Sequence, residues 1–265
     1  MRYGVSLATL GPFADPRQTV RAARAAEEGG WEAFFVWDHL AWASFGGPSS
    51  DPWVTLGGCA VATSRILLAT AATPLPRRRP QMVAQQLASL SLASGGRVIF
   101  GAGLGGMPDE FERFGENADA GVRAAMLDEG LDVVSRLLRG EYVEHRGRHY
   151  VVEGARLAPL PLRPVPFWIA GNGERALQRA ARWDGWLANG SDVERNWLAP
   201  EDVAAKLAPL ERRPMFDVAF IGYAASADLD AYEAAGVTWW IENVHGEPDA
   251  VVKQLRAGAP GATLP

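Results

Sequence analysis

Short apolar runs alternate along this chain with longer amphipathic stretches. Runs of β type fall at 3–7, 33–37, 66–70, 98–101, 167–170, 185–188, 217–221 and 237–241. Two of them, AFFVW and ILLAT, are apolar throughout, as strands covered on both faces of a parallel sheet should be. The stretches between carry helix start and stop signals. Asp15 precedes Pro16 at a first helical position, and Gly29 and Gly30 close that helix. Asp51 and Pro52 repeat the opening, Pro80 opens a helix that reaches Ser94, and a long helix from Asp119 to Arg139 stops at Gly140. Further helices are predicted at 173–182, 200–211, 227–235 and 248–257. Segment 141–152 (EYVEHRGRHYVV) breaks the rhythm and reads as a hairpin turning near Arg146 and Gly147. An open doubly wound sheet could use the same elements. Eight units in strict order over 265 residues favour closure: an α/β fold, a (β/α)8 TIM barrel in one domain over 1–265, with a hairpin excursion.

Composition narrows the partners. With 48% hydrophobic and 22% charged residues the chain can bury a sizeable core, and a net charge of -5 speaks against nucleic acid or an anionic membrane as partner. The one cysteine, Cys59, lies in an apolar helical stretch and reads as a small buried hydrophobe. No stretch approaches the roughly 20 apolar residues of a membrane helix, and the N-terminus lacks a secretory pattern, so a cytoplasmic protein is expected.

In such a barrel the chemistry belongs at the C-terminal ends of the strands. Asp38-His39 follows the second run, and a histidine there can exchange protons near neutrality. Hydrogen bonding within its own loop is an equal alternative. GAGLGG (101–106) matches a dinucleotide pattern, but it follows the fourth strand, and Met107-Pro108-Asp109 intervenes before any helix. It reads better as backbone lying flat against a planar ligand, or as a loop needing positive φ. Residues 171–173 (Gly-Asn-Gly) stand before a helix and either receive a phosphate or simply cap it through Asn172. Arg77-Arg78-Arg79 reads first as a solvated charge run and second as an anion contact. His145 and His149 flank a hairpin turn, where no metal is expected. Trp42, just past the Asp-His pair, is a candidate substrate contact.

Several stretches together resemble the luciferase-like superfamily of FMN-dependent monooxygenases and coenzyme F420-dependent reductases and dehydrogenases. They are AAEEGGWEAFFVWDHL (25–40), 51–86, SGGRVIFGAGLGG (94–106), FERFGENAD (111–119), 123–150, PVPFWIAGNGERALQRAARWDGW (164–186) and AGVTWW (235–240). The resemblance runs over almost the whole chain in the family's order. It implies that Asp38 lies against the cofactor and that His39 donates or accepts a proton near the substrate. It further implies that Thr70 and Ala71 back the ring at a non-proline cis peptide, that Leu104 and Gly105 lie beside the ring or its side chain, and that Ala170, Gly171, Asn172 and Gly173 face the phosphate. The GAGLGG loop has no arginine, unlike some FMN-binding relatives, and no acid directly after it, unlike some F420-dependent ones.

The expected protein is therefore a flavin- or deazaflavin-dependent oxidoreductase acting on a small organic substrate. A monooxygenase using reduced FMN and oxygen ranks first, with a flavin reductase as supplier and a homodimer as the assembly. F420-dependent hydride transfer is the alternative, and a flavin-binding protein without turnover a further one. A barrel hydrolase is disfavoured by the absence of a carboxylate–histidine metal set.

Overall fold

A computed structural model describes residues 1–40, 47–190 and 197–260. Eight parallel strands form a ring: β1 (Arg2–Leu7), β2 (Ala33–Val36), β3 (Leu67–Thr70), β4 (Val98–Gly103), β5 (Phe167–Ala170), β6 (Gly185–Asn189), β7 (Asp217–Gly222) and β8 (Trp239–Val244). Each pairs with its neighbour in sequence, and β1 pairs with β8, so the sheet closes on itself. Helices follow the strands in order: α1 (Pro16–Glu28), α2 (Pro52–Ala62), α3 (Pro80–Ser94), α4 (Ala120–Leu138), α5 (Glu174–Ala180), α6 (Pro200–Leu207), α7 (Leu229–Ala234) and α8 (Pro248–Arg256). This is a (β/α)8 TIM barrel.

The local signals act as their chemistry requires. Asp15 accepts from the Arg17 N–H at the start of α1, and Asp51 from the Trp53 and Val54 N–H groups at the start of α2, each satisfying helix donors that have no partner within the helix. Gly95 ends α3 in the left-handed region at φ 71°. Cys59 is fully buried, and burial pushes its thiol up to about 12, so it packs as a hydrophobe rather than reacting.

Two sets of side chains fill the barrel. Odd positions of β1 and β2's Phe34 and Val36 face the helices, while Phe35, Ile99, Trp168, Trp239 and Ile241 pack inside the ring. There Phe35 stacks on Trp168 at 5.7 Å, and Trp168 meets Trp239 edge-on at 5.5 Å. Gly185 makes room for them, since a Cβ there would stand 2.6 Å from Trp168. With the interior packed, a ligand is left the rim.

Two strands differ from the sequence pattern by more than one residue, for physical reasons. β4 runs two residues further than 98–101, through Gly101–Ala102–Gly103, because the chains approach too closely for side chains: a Cβ on Gly101 would lie 1.9 Å from the Thr70 carbonyl oxygen. Strand eight is not 237–241 but Trp239–Val244. Val237 still belongs to the turn after α7, and Glu242 looks too polar for a strand yet is buried, accepting from Trp240 Nε1 and the Ala224 N–H at 2.9 Å each. The predicted hairpin pairs Val143–Arg146 with Val151–Ala155. It is fastened to α4 by Glu129, whose carboxylate accepts from the His149 and Tyr150 N–H groups and lies 2.9 Å from His145 Nε2. The two histidines thus belong to a clasp.

Candidate active site

Every strand-end residue singled out above, where described, lies on the one rim formed by the C-terminal ends of the strands. Trp42 lies outside the described residues.

At the end of β2 the backbone delivers Asp38 into a cluster of four charged side chains. Arg78 donates to both Asp38 oxygens (Nε 2.9 Å, Nη2 2.8 Å), and Arg77 adds Nη2 at 3.0 Å to the same carboxylate and 3.0 Å to the Asp38 carbonyl. The other Arg77 arm donates to Glu110 at 2.5 Å. Glu110 also accepts from the Leu40 N–H at 2.8 Å, and each of its oxygens stands 3.3 Å from His39 Nδ1. The Asp38 and Glu110 side chains are 1% and 2% exposed and that of Arg77 6%, so the charges neutralise one another out of water. The reading of Arg77 and Arg78 as solvated charge is overturned; only Arg79 is exposed. Burial works against the Arg78 charge, but Asp38 and Asp51 outweigh it and hold the guanidinium above its usual value. His39 stands at the edge of this cluster, about one-fifth exposed, with its ring edge-on to Trp37 at 5.9 Å.

Glu110 was missing from the sequence reading. It lies in a single helical turn, Asp109–Glu112, three of whose four residues are acidic, and nothing local marks it as buried. Its signal is the three consecutive arginines, which need buried acids if they are to fold inward.

Beside the cluster the rim is lined with small residues. The Thr70 hydroxyl donates to the Gly101 carbonyl at 2.8 Å inside the β3–β4 seam, so the threonine side chain faces backbone. Beyond it a non-proline cis peptide joins Ala71 to Ala72, one residue later than Thr70-Ala71, where the resemblance put it. A Cβ on Gly103 would meet Ala170 at 3.3 Å and Ala72 at 3.6 Å, so Ala72, Gly103 and Ala170 form a shelf without projecting side chains. The two readings of GAGLGG divide between its glycines. Gly103 belongs to this flat shelf, whereas Gly105 has φ 89° and would drive a Cβ to 2.8 Å from Phe111. Arg123, reaching from α4, donates to the Gly105 carbonyl at 2.6 Å and stacks over Phe111, which fixes the Leu104–Gly105 turn. Burial pulls this guanidinium below its usual value.

On the far side, Gly171 has φ 128°, and Gly173, not Asn172, occupies the cap position of α5. Asn172 Nδ2 donates instead to the Asn189 carbonyl at 2.6 Å, its Oδ1 is buried without a partner, and Lys206 Nζ donates to the Asn172 carbonyl at 3.0 Å. Asn172 as a plain helix cap is therefore excluded, and a cation stands beside the loop. At the end of β8, His245 is exposed on the rim; the late end of that strand hid it from the sequence pattern.

Among the described residues no three His, Cys, Asp or Glu side chains gather as a metal site, and no helix is long and apolar enough to cross a membrane.

A closed barrel with a histidine beside a buried charge cluster and a bare shelf of small residues, on the rim where such barrels place their chemistry, fits the class of cofactor-using barrel oxidoreductases. The chain belongs to the luciferase-like monooxygenase family, whose model matches residues 1–260. It is 33% identical over 183 residues to an F420-dependent hydroxymycolic acid dehydrogenase of Mycobacterium tuberculosis, covering 66% of this chain and 49% of that one. It is 35% identical over 177 residues to an F420-dependent glucose-6-phosphate dehydrogenase of Beutenbergia cavernae, covering 65% and 52%. The matched segment thus spans about half the length of these relatives. In fold it is similar to an F420-dependent secondary alcohol dehydrogenase (TM-score 0.81, 18% identity, 98% of both chains). A monooxygenase from Streptomyces bottropensis is similar too (TM-score 0.77, 20% identity, 97% of both).

Proposed function

We propose that this protein is an F420-dependent oxidoreductase that moves a hydride between the deazaflavin and a small alcohol or carbonyl compound, with His39 handling the accompanying proton. The observation that carries the reading is the placement of His39 at the rim beside a shelf of small residues, its ring oriented by buried Glu110. The relatives whose names specify F420 move hydride transfer ahead of the FMN monooxygenase that the sequence ranked first.

The residues fit a planar redox cofactor. Ala71, Ala72, Gly103 and Ala170 leave a flat surface for a ring system, and the partnerless Asn172 Oδ1 and nearby Lys206 suit the polar and phosphorylated tail. When bound, F420 supplies a two-electron hydride acceptor or donor. Glu110 beside Nδ1 orients the His39 ring, which takes a proton from a substrate hydroxyl or returns it. Arg77, bridging Asp38 and Glu110, donates to both carboxylates and fixes the loop that carries the histidine. Asp38 acts here as a positioning group, since both its oxygens are occupied by guanidinium donors. Leu104 and Gly105 wall the cofactor side, and Trp42 is kept as a substrate contact.

The fold likeness to a monooxygenase supports a second reading, reduced FMN with oxygen and a separate flavin reductase. Incubating the purified protein with oxidised F420 and secondary alcohols, and following loss of the deazaflavin absorbance, tests the first. Oxygen-dependent product formation with reduced FMN, and no F420 reduction by any alcohol, would replace it with the second.

A homodimer is proposed on the face of neighbouring helices α2 and α3, where Val54, Val61 and Met82 are 71%, 77% and 50% exposed.

A further inference from the structure

A pocket of about 200 Å³ opens between the ends of β1, β7 and β8, separate from the shelf of small residues. Leu10, Phe13 and Val244 form its walls, and Trp37 closes the side toward His39, against which the same indole packs. Its polar lining is sparse. Tyr223 Oη accepts from Asn243 Nδ2 at 2.9 Å, so that pair is engaged internally, and His245 stands at the exposed rim, edge-on to Tyr223 at 5.9 Å. Among the described lining residues there is no Lys, Arg, Asp or Glu.

An ionic group buried here would lose its hydration and meet no counter-charge from Lys, Arg, Asp or Glu among the described lining residues, which disfavours it. A hydrocarbon body gains from the same walls. Size sets a further bound, since an apolar cavity of about 150 Å³ takes up benzene, so this one suits a body of about six to ten carbon atoms. The shared Trp37 wall puts such a body next to His39.

We infer that this pocket binds the apolar body of an uncharged, single-ring-sized alcohol or ketone substrate, in preference to a sugar phosphate. The inference rests on the hydride-transfer reading only for the word substrate; binding itself is tested without cofactor. The full chain is titrated with cyclohexanone and, separately, with glucose 6-phosphate by calorimetry, and cyclohexanone is located by intermolecular NOEs. Expected are millimolar affinity for cyclohexanone, NOEs to the ring protons of Phe13 and Tyr223, and no heat from glucose 6-phosphate. Ala8→Phe, which fills the pocket from a half-buried loop position, should weaken cyclohexanone by about tenfold or more. The wild-type NOEs decide the matter if that variant does not fold. No cyclohexanone binding, NOEs only to other surfaces, glucose 6-phosphate binding as tightly, or a folded Ala8→Phe with unchanged affinity would each overturn the inference. Loss of F420 binding would sink the hydride-transfer reading and leave these NOEs untouched.

Discussion

His39, Glu110 and Arg77 form a chain in which each member has a separate consequence when removed. His39→Ala takes away a partly exposed side chain and no buried charge, so the fold should persist while turnover falls by about a hundred- to ten-thousandfold. Steady-state kinetics beside a melting curve check this, and normal kinetics would end the proton-transfer role. Arg77→Met leaves Asp38 and Glu110 buried without their shared cation and should cost about 3–5 kcal/mol in urea unfolding. Asp38 and His39 were legible from their position after an apolar run. Glu110 and the inward turn of Arg77 and Arg78 were not, because a charged residue's burial depends on partners 27 or more positions away, which local pattern does not carry.

At the level of elements, the hairpin and the β3–β4 seam show opposite kinds of constraint. Glu129 holds the hairpin turn, and although its partial burial opposes ionisation, His145 and the Tyr150 and His149 N–H groups keep its carboxyl below the usual value of 4.5. A lowered folded-state value means that the stabilising contribution is present above the unfolded value and is lost as the pH falls from there through the lower folded one. Amide exchange of residues 143–155, corrected for intrinsic pH dependence, should therefore lose protection as the pH falls below about 4.5, and Glu129→Gln should flatten that dependence. The seam tolerates nothing: Gly101→Ala places a Cβ against the Thr70 carbonyl and should cost about 4 kcal/mol or more, or prevent folding. The hydrophobic period found all eight strands, since residues buried on both faces leave apolar runs. It fell more than one residue short at two strand ends, Gly103 and Val244, where close packing demanded glycine in one case and hydrogen bonds hid a carboxylate in the other.

Across the whole molecule, ring closure is what brings 38–39, 71–72, 103–105 and 171–173 onto one rim, and the strict strand–helix order made that closure legible before any coordinates. Cofactor identity was not legible, because a shelf defined by missing side chains suits FMN and F420 alike. The exposed apolar face of α2 and α3 predicts that Val61→Glu converts a dimer to a monomer in sedimentation velocity, and a monomeric wild type would remove the dimer. The most direct test of the shelf is a fluorescence titration of the full chain with F420 and with FMN, wild type beside Gly103→Val. Expected is saturable binding, tighter for F420, that drops by about a hundredfold in a variant whose melting temperature is retained. Binding of neither cofactor, or equal affinity in wild type and Gly103→Val, would contradict a flat redox ring resting on this rim.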